Sequence, residues 1–250
     1  MTHAPRSPSL AASVALALLA ACAPEPEVTP TATVERVMVD DYADQEGHTA
    51  SVWVQGNSDF VDGADVCHDQ DCAVTDEDGW AHVAGLPDGP VALTIDGGRG
   101  VPLLLPLTLN NSWAPHLAAR SLTADIYRDW MGPGAWSSGE ALIDIWPIDA
   151  SRDGSPVMPG VQVTASDGEL WAVRDLSSAR RDDVSTGTGP VWVAGVTQDL
   201  VELTLTLEGG LCSARSVGWD ATADEGVVTM SVPTAPDRAT SIYVHCVILD

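Results

Sequence analysis

The sequence predicts an all-β fold of two tandem β-sandwiches joined by a short helix. Three observations lead to this prediction. From residue 34 onward, apolar and polar residues alternate in short runs, such as 50–54 and 91–95. Clusters of Gly, Pro and Asp separate the runs at intervals of roughly 8–15 residues, which is typical of a sandwich. A segment of the first half also recurs in the second half, which indicates a duplicated unit.

Length and composition limit the possible functions. The chain has 250 residues, which is enough for one large domain or two domains of about 100 residues. Hydrophobic residues make up 45% of it, and this content excludes global disorder. The net charge is −25, and all 11 basic residues are arginines. Without lysine or a basic patch, Lys nucleophiles, a P-loop and a nucleic-acid partner are excluded.

The internal repeat aligns residues 74–95 with residues 184–205 without a gap. Upstream, Gly-Ala-Asp-Val at 63–66 is similar to Gly-Val-Gln-Val at 160–163. Turn glycines and inward-facing strand residues are the positions that match, as a shared fold requires. The matched positions of the aligned segments are Val74 with Val184, Gly79 with Gly189, 83–85 with 193–195, Val91 with Val201, Leu93 with Leu203 and Thr94 with Thr204.

The order of motifs in the first copy resembles the carboxypeptidase regulatory-like domain. The motifs are Gly-x-x-Val, Thr-Asp-x-Asp-Gly, Val-x-Gly-Leu-Pro-x-Gly and Val-x-Leu-Thr-Ile. The resemblance covers 48–108 well and 139–210 more weakly, because 187–189 and 196–199 lack two of the turn motifs. It implies seven-stranded, transthyretin-like (Ig-like) β-sandwiches that are noncatalytic. No active-site residue carries over.

The segment between the two copies is expected to be helical. Asn111 or Ser112 would cap the helix, with Pro115 in its first turn and Gly-Pro-Gly at 132–134 ending it. Four apolar residues at helical spacing would share one face and pack between the sandwiches. They are Ala119, Leu122, Ile126 and Trp130. The expected boundaries of the whole chain are 1–21 for a signal peptide, 22–33 for a tether, 34–110 for the first sandwich, 111–137 for the helical linker and 138–250 for the second sandwich.

The N-terminus resembles the signal of bacterial lipoproteins. An apolar run at 10–19 is too short to span a bilayer, which needs roughly 20 residues. It ends in Leu-Ala-Ala-Cys, which resembles a lipobox and implies lipidation of Cys22. An ordinary cleaved signal peptide is the alternative. Residues 22–33 are proline-rich and are predicted to be an extended tether. Ala23 follows the cysteine where a retention Asp would stand, and by family analogy this favours the outer membrane.

Four further cysteines are predicted to form two disulfides. They are Cys67, Cys72, Cys212 and Cys246, an even number in an oxidising compartment. Proximity favours Cys67–Cys72 and Cys212–Cys246, although three connectivities are open. A metal site built from Cys67, His68 and Cys72 is the alternative, but no second pair of ligands follows it.

The acidic segment 75–79, Thr-Asp-Glu-Asp-Gly, has two interpretations. We interpret it as a hairpin turn in which Gly79 takes a positive φ. A Ca²⁺ site is the alternative, with Asp59 and Asp62 as further ligands, although the EF-hand pattern is absent.

The nine tryptophans are expected to fill the core where they lie in or near strand runs. These residues are Trp53, Trp146, Trp171, Trp192 and Trp219. Three others surround the expected linker helix and would form a platform for a glycan or peptide if they are exposed. They are Trp113, Trp130 and Trp136.

The chain carries neither His-Glu-x-x-His nor Gly-x-Ser-x-Gly, and we expect no enzyme activity, no cofactor and no catalytic residue. The predicted function is a non-enzymatic binding, adhesive or spacer module of the cell envelope. Its expected partners are the membrane, through the N-terminal lipid, and an envelope protein or polysaccharide. The alternatives are an envelope hydrolase with an interdomain site, whose triad would assemble from distant residues, and a Ca²⁺-stabilised surface adhesin.

Overall fold

Short strands dominate the part of the chain that the computed structural model describes, which comprises residues 47–56, 60–109, 116–120, 122–152, 156–175, 177–214, 218–224 and 226–249. These residues all belong to one unit, Asp41–Asp250. In that part a single helix occurs, α1 (Ala124–Met131). The strands in chain order are β1 (His48–Gln55), β2 (Asp65–His68), β3 (Asp71–Val74), β4 (Trp80–Leu86), β5 (Gly89–Asp96), β6 (Leu103–Leu109), β7 (His116–Arg120), β8 (Ala141–Asp149), β9 (Gln162–Ala165), β10 (Glu169–Asp175), β11 (Ser178–Arg181), β12 (Val191–Val196), β13 (Leu200–Thr206), β14 (Gly210–Ser213), β15 (Trp219–Asp224), β16 (Val227–Pro233) and β17 (Ala239–Ile248).

The described strands form three sheets. One has the order β4-β1-β7, and another has the order β15-β16-β13-β9. The largest runs β11-β10-β12-β8-β17-β6-β5-β2-β3, with β14 paired to β17 beside that path. The predicted all-β, sandwich-like class is therefore confirmed.

The strand pairing repeats along the chain. β1 pairs antiparallel with β4 and parallel with β7, and β8 pairs in the same way with β12 and β17. β5 lies between β2 and β6, as β13 lies between β9 and β16. The segments aligned in sequence hold β4–β5 and β12–β13, so the sequence repeat is also a structural repeat.

The two halves share one sheet. β17 pairs with β8 on one side and, in parallel, with β6 on the other, where Ala239 lies opposite Leu103 and Thr240 opposite Leu104. β17 is buried on both faces over its first half, as expected of a central strand. A separation into two tandem domains is not confirmed, because this sheet continues from one half into the other.

Because side chains alternate between the two faces of a strand, one face of most strands lies in a continuous hydrophobic core. Val52 and Val54 of β1 and Leu203 and Leu205 of β13 are fully buried members of one apolar cluster. Side chains at i and i+2 lie on the same face of a strand, so the residues between them face outward. The outward faces of the sheets are therefore the surfaces on which a binding site can form.

The helix starts later than the sequence predicted. Residues 116–120 form β7, which pairs with β1 and buries Leu117 and Ala119. The helix begins only after Thr123, whose hydroxyl accepts from the Ile126 N–H at 3.4 Å. It ends at Gly132 as expected, with the Gly132 N–H donating to the Arg128 carbonyl. Pairing with β1, a strand distant in the chain, outweighed the helical spacing of this segment. A helix of this length is only marginally stable without tertiary contacts.

Candidate functional site

An aromatic strip crosses the outward face of the sheet β4-β1-β7. Successive side chains of a strand point to opposite faces, so Val52 points into the core and Trp53 points outward. Trp53 lies directly opposite Trp80 in the antiparallel pair of β1 and β4. Phe60 packs against Trp53 at one end, and His82 lies beside Trp80 at the other. We call these four residues, Phe60, Trp53, Trp80 and His82, the aromatic strip.

The rings of the aromatic strip are close and ordered. The ring centroids of Trp53 and Trp80 are 6.1 Å apart, with 23° between the ring planes. The centroid distances are 5.5 Å from Trp53 to Phe60 and 6.5 Å from Trp80 to His82. Phe60 exposes 48% of its surface, His82 is exposed and both tryptophans are half-buried. Aromatic side chains placed in this way offer contact area with little loss of side-chain entropy on binding.

The acidic turn 75–79 holds the two central residues of the strip, Trp53 and Trp80. Asp76 Oδ1 accepts hydrogen bonds from the backbone N–H groups of Asp78 at 3.0 Å and Trp80 at 2.8 Å. The indole N–H of Trp53 donates to the Asp78 carbonyl at 3.1 Å. Gly79 takes the expected positive φ of 80°. The carboxylate of Asp76 therefore shapes the hairpin, as the turn interpretation requires.

The second copy of the repeat forms the corresponding turn with a different glycine. There Gly187 has the positive φ, at 81°. Gly189, which aligns with Gly79, is needed for packing instead, since a Cβ on it would lie 2.6 Å from Val173 Cγ1. The glycine retained in the repeat thus serves a different purpose in each copy.

A Ser–His pair lies at the edge of the strip. The Ser51 hydroxyl and Nδ1 of His82 are 2.9 Å apart on neighbouring strands. A nucleophile and a base at this distance are what the hydrolase alternative requires. Ser51, however, exposes 2% of its surface, so its hydroxyl is not accessible to a substrate carbonyl. The pair stabilises the sheet and does not form a nucleophilic site.

A second polar cluster surrounds Asp144, which is fully buried in β8. Its Oδ1 accepts from the indole N–H of Trp192 in β12 at 2.9 Å, and its Oδ2 accepts from the Tyr127 hydroxyl of α1 at 3.4 Å. The rings of Tyr127 and Trp192 meet edge to face, with centroids 5.0 Å apart. One carboxylate therefore joins the helix to the sheet.

Burial raises the pKa of Asp144 from 3.8 to about 6. Neighbouring hydrogen-bond donors and the positive charge of Arg120 oppose this rise. Burial also raises the pKa of Tyr127 well above 10. A carboxyl group of this kind can act as an acid or base, but Asp144 exposes no surface to a substrate, and its role is structural.

The tryptophans divide between core and surface. Trp192 and Trp171 are buried as expected, whereas Trp53 belongs to the aromatic strip. Near the helix, Trp136 is buried and Trp130 packs on Trp192 with ring centroids 5.7 Å apart. These two residues therefore do not form the platform that was considered for them, and Trp113 lies outside the described residues.

Both predicted disulfides are confirmed. Cys67 is bonded to Cys72 across β2 and β3, and Cys212 is bonded to Cys246 across β14 and β17. The Cys67–Cys72 disulfide uses both cysteines of the alternative metal site. Lipidation at Cys22 stays a prediction, because that residue lies outside the described part.

The described residues hold neither a cluster of metal ligands nor a membrane-spanning helix. Among them no group of three or more His, Cys, Asp or Glu side chains is placed to hold a metal ion. Asp59, a candidate Ca²⁺ ligand, lies outside them. No helix in the same ranges is long and apolar enough to cross a membrane.

The aromatic strip was missed at the sequence level, although a signal for it exists. In β1 the residue between two buried valines is Trp53, and in β4 Trp80 and His82 alternate with buried Ala81 and Val83. Alternation therefore placed these rings on outward faces. Only the register of β1 against β4 brings them together.

Comparisons with known proteins give distant likenesses. No protein-family model matches the chain, and no curated protein matches it. Among solved structures it is similar to the minor pilin of Streptococcus agalactiae, with 12% identity, 81% of this chain and 97% of that chain covered, and a TM-score of 0.26. The major pilin of Streptococcus pyogenes is 8% identical, with 83% and 100% covered and a TM-score of 0.29. The Caf1A usher C-terminal domain is 14% identical, with 30% and 97% covered and a TM-score of 0.24. Likenesses this distant show neither a family nor a function for this chain.

Proposed function

We propose that this chain is a non-enzymatic lipoprotein of the cell envelope that acts as a binding, adhesive or spacer module. The aromatic strip is the observation that carries the proposal. The strip presents partly exposed rings on the paired strands β1 and β4, and the hairpin at Asp76 orients these rings. Among the described residues, Ser51 and Asp144 have neighbours suited to catalytic chemistry, but both are buried and support the fold. An envelope protein or polysaccharide is the expected partner.

The test of the strip uses the mature chain with Cys22→Ser, bound to isolated cell envelopes of the producing bacterium. Trp80→Ala and Phe60→Ala should each weaken retention about tenfold or more, which is the loss typical of an interface hot spot. Leu200→Ala is the matched control, because Leu200 is an apolar side chain with 47% exposure outside the strip. Equal retention of all variants would contradict the proposal.

The proposed anchor is a lipid on Cys22, and the lipobox resemblance supports it. Labelling with a palmitate analogue should mark the wild-type protein and not Cys22→Ser. The labelled protein should fractionate with the outer membrane. An unlabelled wild-type protein would remove the anchor but leave the binding proposal standing.

We also propose kinship with the carboxypeptidase regulatory-like domain for 48–108. The residues that carry the resemblance support it, because Asp76 and Gly79 form the hairpin turn and 83–89 comprise the end of β4 and the turn into β5.

A further inference from the structure

A row of threonines crosses the outward face of the sheet β15-β16-β13-β9. Thr222 lies opposite Thr229, Thr229 opposite Thr204, and Thr204 opposite Thr164. One residue from each of the four strands therefore contributes to the row. Neighbouring strands lie about 4.8 Å apart, so four hydroxyls are spread over about 14 Å. We call these residues the threonine row.

The row faces away from the core. Thr164, Thr222 and Thr229 are exposed and Thr204 is half-buried, while the alternate residues Leu203 and Met230 are buried on the opposite face. The hydroxyls of Thr222 and Thr229 are 2.6 Å apart, within hydrogen-bond distance. The outward face is consequently a regular array of groups that can both donate and accept.

A groove of about 380 Å³ lies along part of the row, within the size range of small-ligand sites. The strand register is irregular between Trp219 and Thr222, where Asp220 has a φ of 50°. An irregularity of this kind bends an edge strand out of the sheet plane. The polar residues that line the groove are Glu202, Thr204, Asp220, Thr222, Thr229 and Ser231.

The lining of the groove selects a chemical class of ligand. It offers hydroxyls and the two carboxylates of Glu202 and Asp220, and it contains no basic and no aromatic side chain. Neither carboxylate forms an ion pair with a described residue. A polyanion would be repelled, and an apolar ligand would leave these groups without partners. The hydroxyls of a sugar can donate to the carboxylates and both donate to and accept from the threonines.

We propose that the groove at the threonine row binds a neutral, extended polysaccharide. This inference goes beyond the proposed function, because the aromatic strip lies on a different sheet. The strip and the groove can therefore be tested separately.

The test measures retention of the mature chain (with Cys22→Ser) on cellulose and chitin, with heparin as a polyanionic probe. Thr204→Val/Thr229→Val keeps the shape and β-branching of both side chains and removes their hydroxyls. It should weaken retention on the neutral polymer about tenfold or more, the loss expected for two hydrogen bonds. Thr206→Val is the control, since Thr206 shares the strand and lies outside the groove lining. Thermal melting should show that both variants are folded.

The outcomes are distinct. Wild-type protein that binds neither neutral polymer, or binds heparin alone, overturns the inference. Equal retention of the double-valine variant also overturns it. A loss of glycan retention in Trp53→Ala/Trp80→Ala together with full retention of the double-valine variant would assign the glycan to the aromatic strip and remove the groove.

Discussion

Thr75 and Ser185, 110 residues apart in the chain, occupy the same position in the two copies of the repeat. Both are buried polar residues, with 2% and 3% exposure. The Thr75 hydroxyl donates to the Val61 carbonyl at 2.6 Å and accepts from the Ala64 N–H at 2.8 Å. The Thr75 N–H in turn donates to the Ala64 carbonyl at 2.9 Å.

Ser185 makes the same three bonds. Its hydroxyl donates to the Met158 carbonyl at 2.6 Å and accepts from the Val161 N–H at 2.9 Å. Its N–H donates to the Val161 carbonyl at 2.9 Å. In each copy one hydroxyl therefore pairs the backbone where the chain enters β2 or β9, which explains why a hydroxyl residue occupies both positions.

Removing the hydroxyl should destabilise the protein. Thr75→Val keeps the shape of the side chain but leaves the buried Ala64 N–H and the partly buried Val61 carbonyl without that partner. We expect a loss of about 1–3 kcal/mol in the free energy of unfolding, measured by urea denaturation. Thr75→Ser should restore most of it. Thr164→Val, at an exposed hydroxyl, should change stability by less than about 0.5 kcal/mol. Equal effects at the two sites would contradict the role of Thr75.

Asp144 should make stability decrease with pH between about 4 and 6. Its pKa is raised by burial from 3.8 to about 6, so the folded state binds the proton more tightly than the unfolded chain. The stabilising contribution is fully present below about pH 4 and is lost as the pH rises through 6. The difference corresponds to about 3 kcal/mol.

Asp144→Asn is the test, because the amide cannot ionise and can still accept from Trp192. The difference in unfolding free energy between wild type and variant should change by about 2 kcal/mol between pH 4 and pH 7. Other carboxyl groups act in the opposite direction at lower pH, because hydrogen bonds lower the pKa of Asp149, Asp167 and Asp182. Their contribution is present above their unfolded pKa and is lost as the pH falls. A constant difference between the two proteins would exclude titration of Asp144.

Gly79 should tolerate no side chain. Its φ is 80°, and a Cβ there would lie 2.7 Å from the Val54 carbonyl oxygen. Gly79→Ala should therefore lower stability by more than the roughly 1–2 kcal/mol that the backbone conformation alone costs. Gly63→Ala is the matched control, with a φ of 73° and no atom within 4 Å of the point that its Cβ would occupy. If the two variants melt at the same temperature, the close approach to Val54 is unimportant.

The two disulfides should contribute unequally to the stability of the fold. Cys212–Cys246 spans 34 residues and Cys67–Cys72 spans 5. On the chain-entropy account, closing these loops contributes about 4 and about 2 kcal/mol respectively. Denaturation of the C212A/C246A and C67A/C72A variants compares the two contributions. A larger loss of unfolding free energy in C67A/C72A would refute the expected order. Intact mass of the non-reduced protein should show no free thiol at these four positions.

The strands and turns of the first half could be predicted because their signals are local. The runs at 50–54, 81–83 and 91–95 lie within β1, β4 and β5, and the predicted positive φ occurs at Gly79. Alternation and turn residues depend only on near neighbours in the chain. The cysteine pairing followed from the same proximity for Cys67 and Cys72.

The segment 116–131 shows where this reasoning failed. Ala119, Leu122, Ile126 and Trp130 have helical spacing, yet Ala119 lies in β7 and only the last two lie in α1. The pairing of β7 with β1 joins residues far apart in sequence, and no local pattern encodes it.

By itself, the sequence determined the all-β class, the duplicated unit and the turn at Gly79, because short-range periodicity, the internal repeat and turn residues specify them. Proximity in the chain favoured the cysteine pairing but left other connectivities open. The tertiary structure decided which strands meet. It placed β17 between β8 and β6, brought Trp53 opposite Trp80, aligned the threonine row and enclosed Asp144 beneath α1. Each of these depends on the register of strands that are distant in the chain, and register is set by the packing of the whole core.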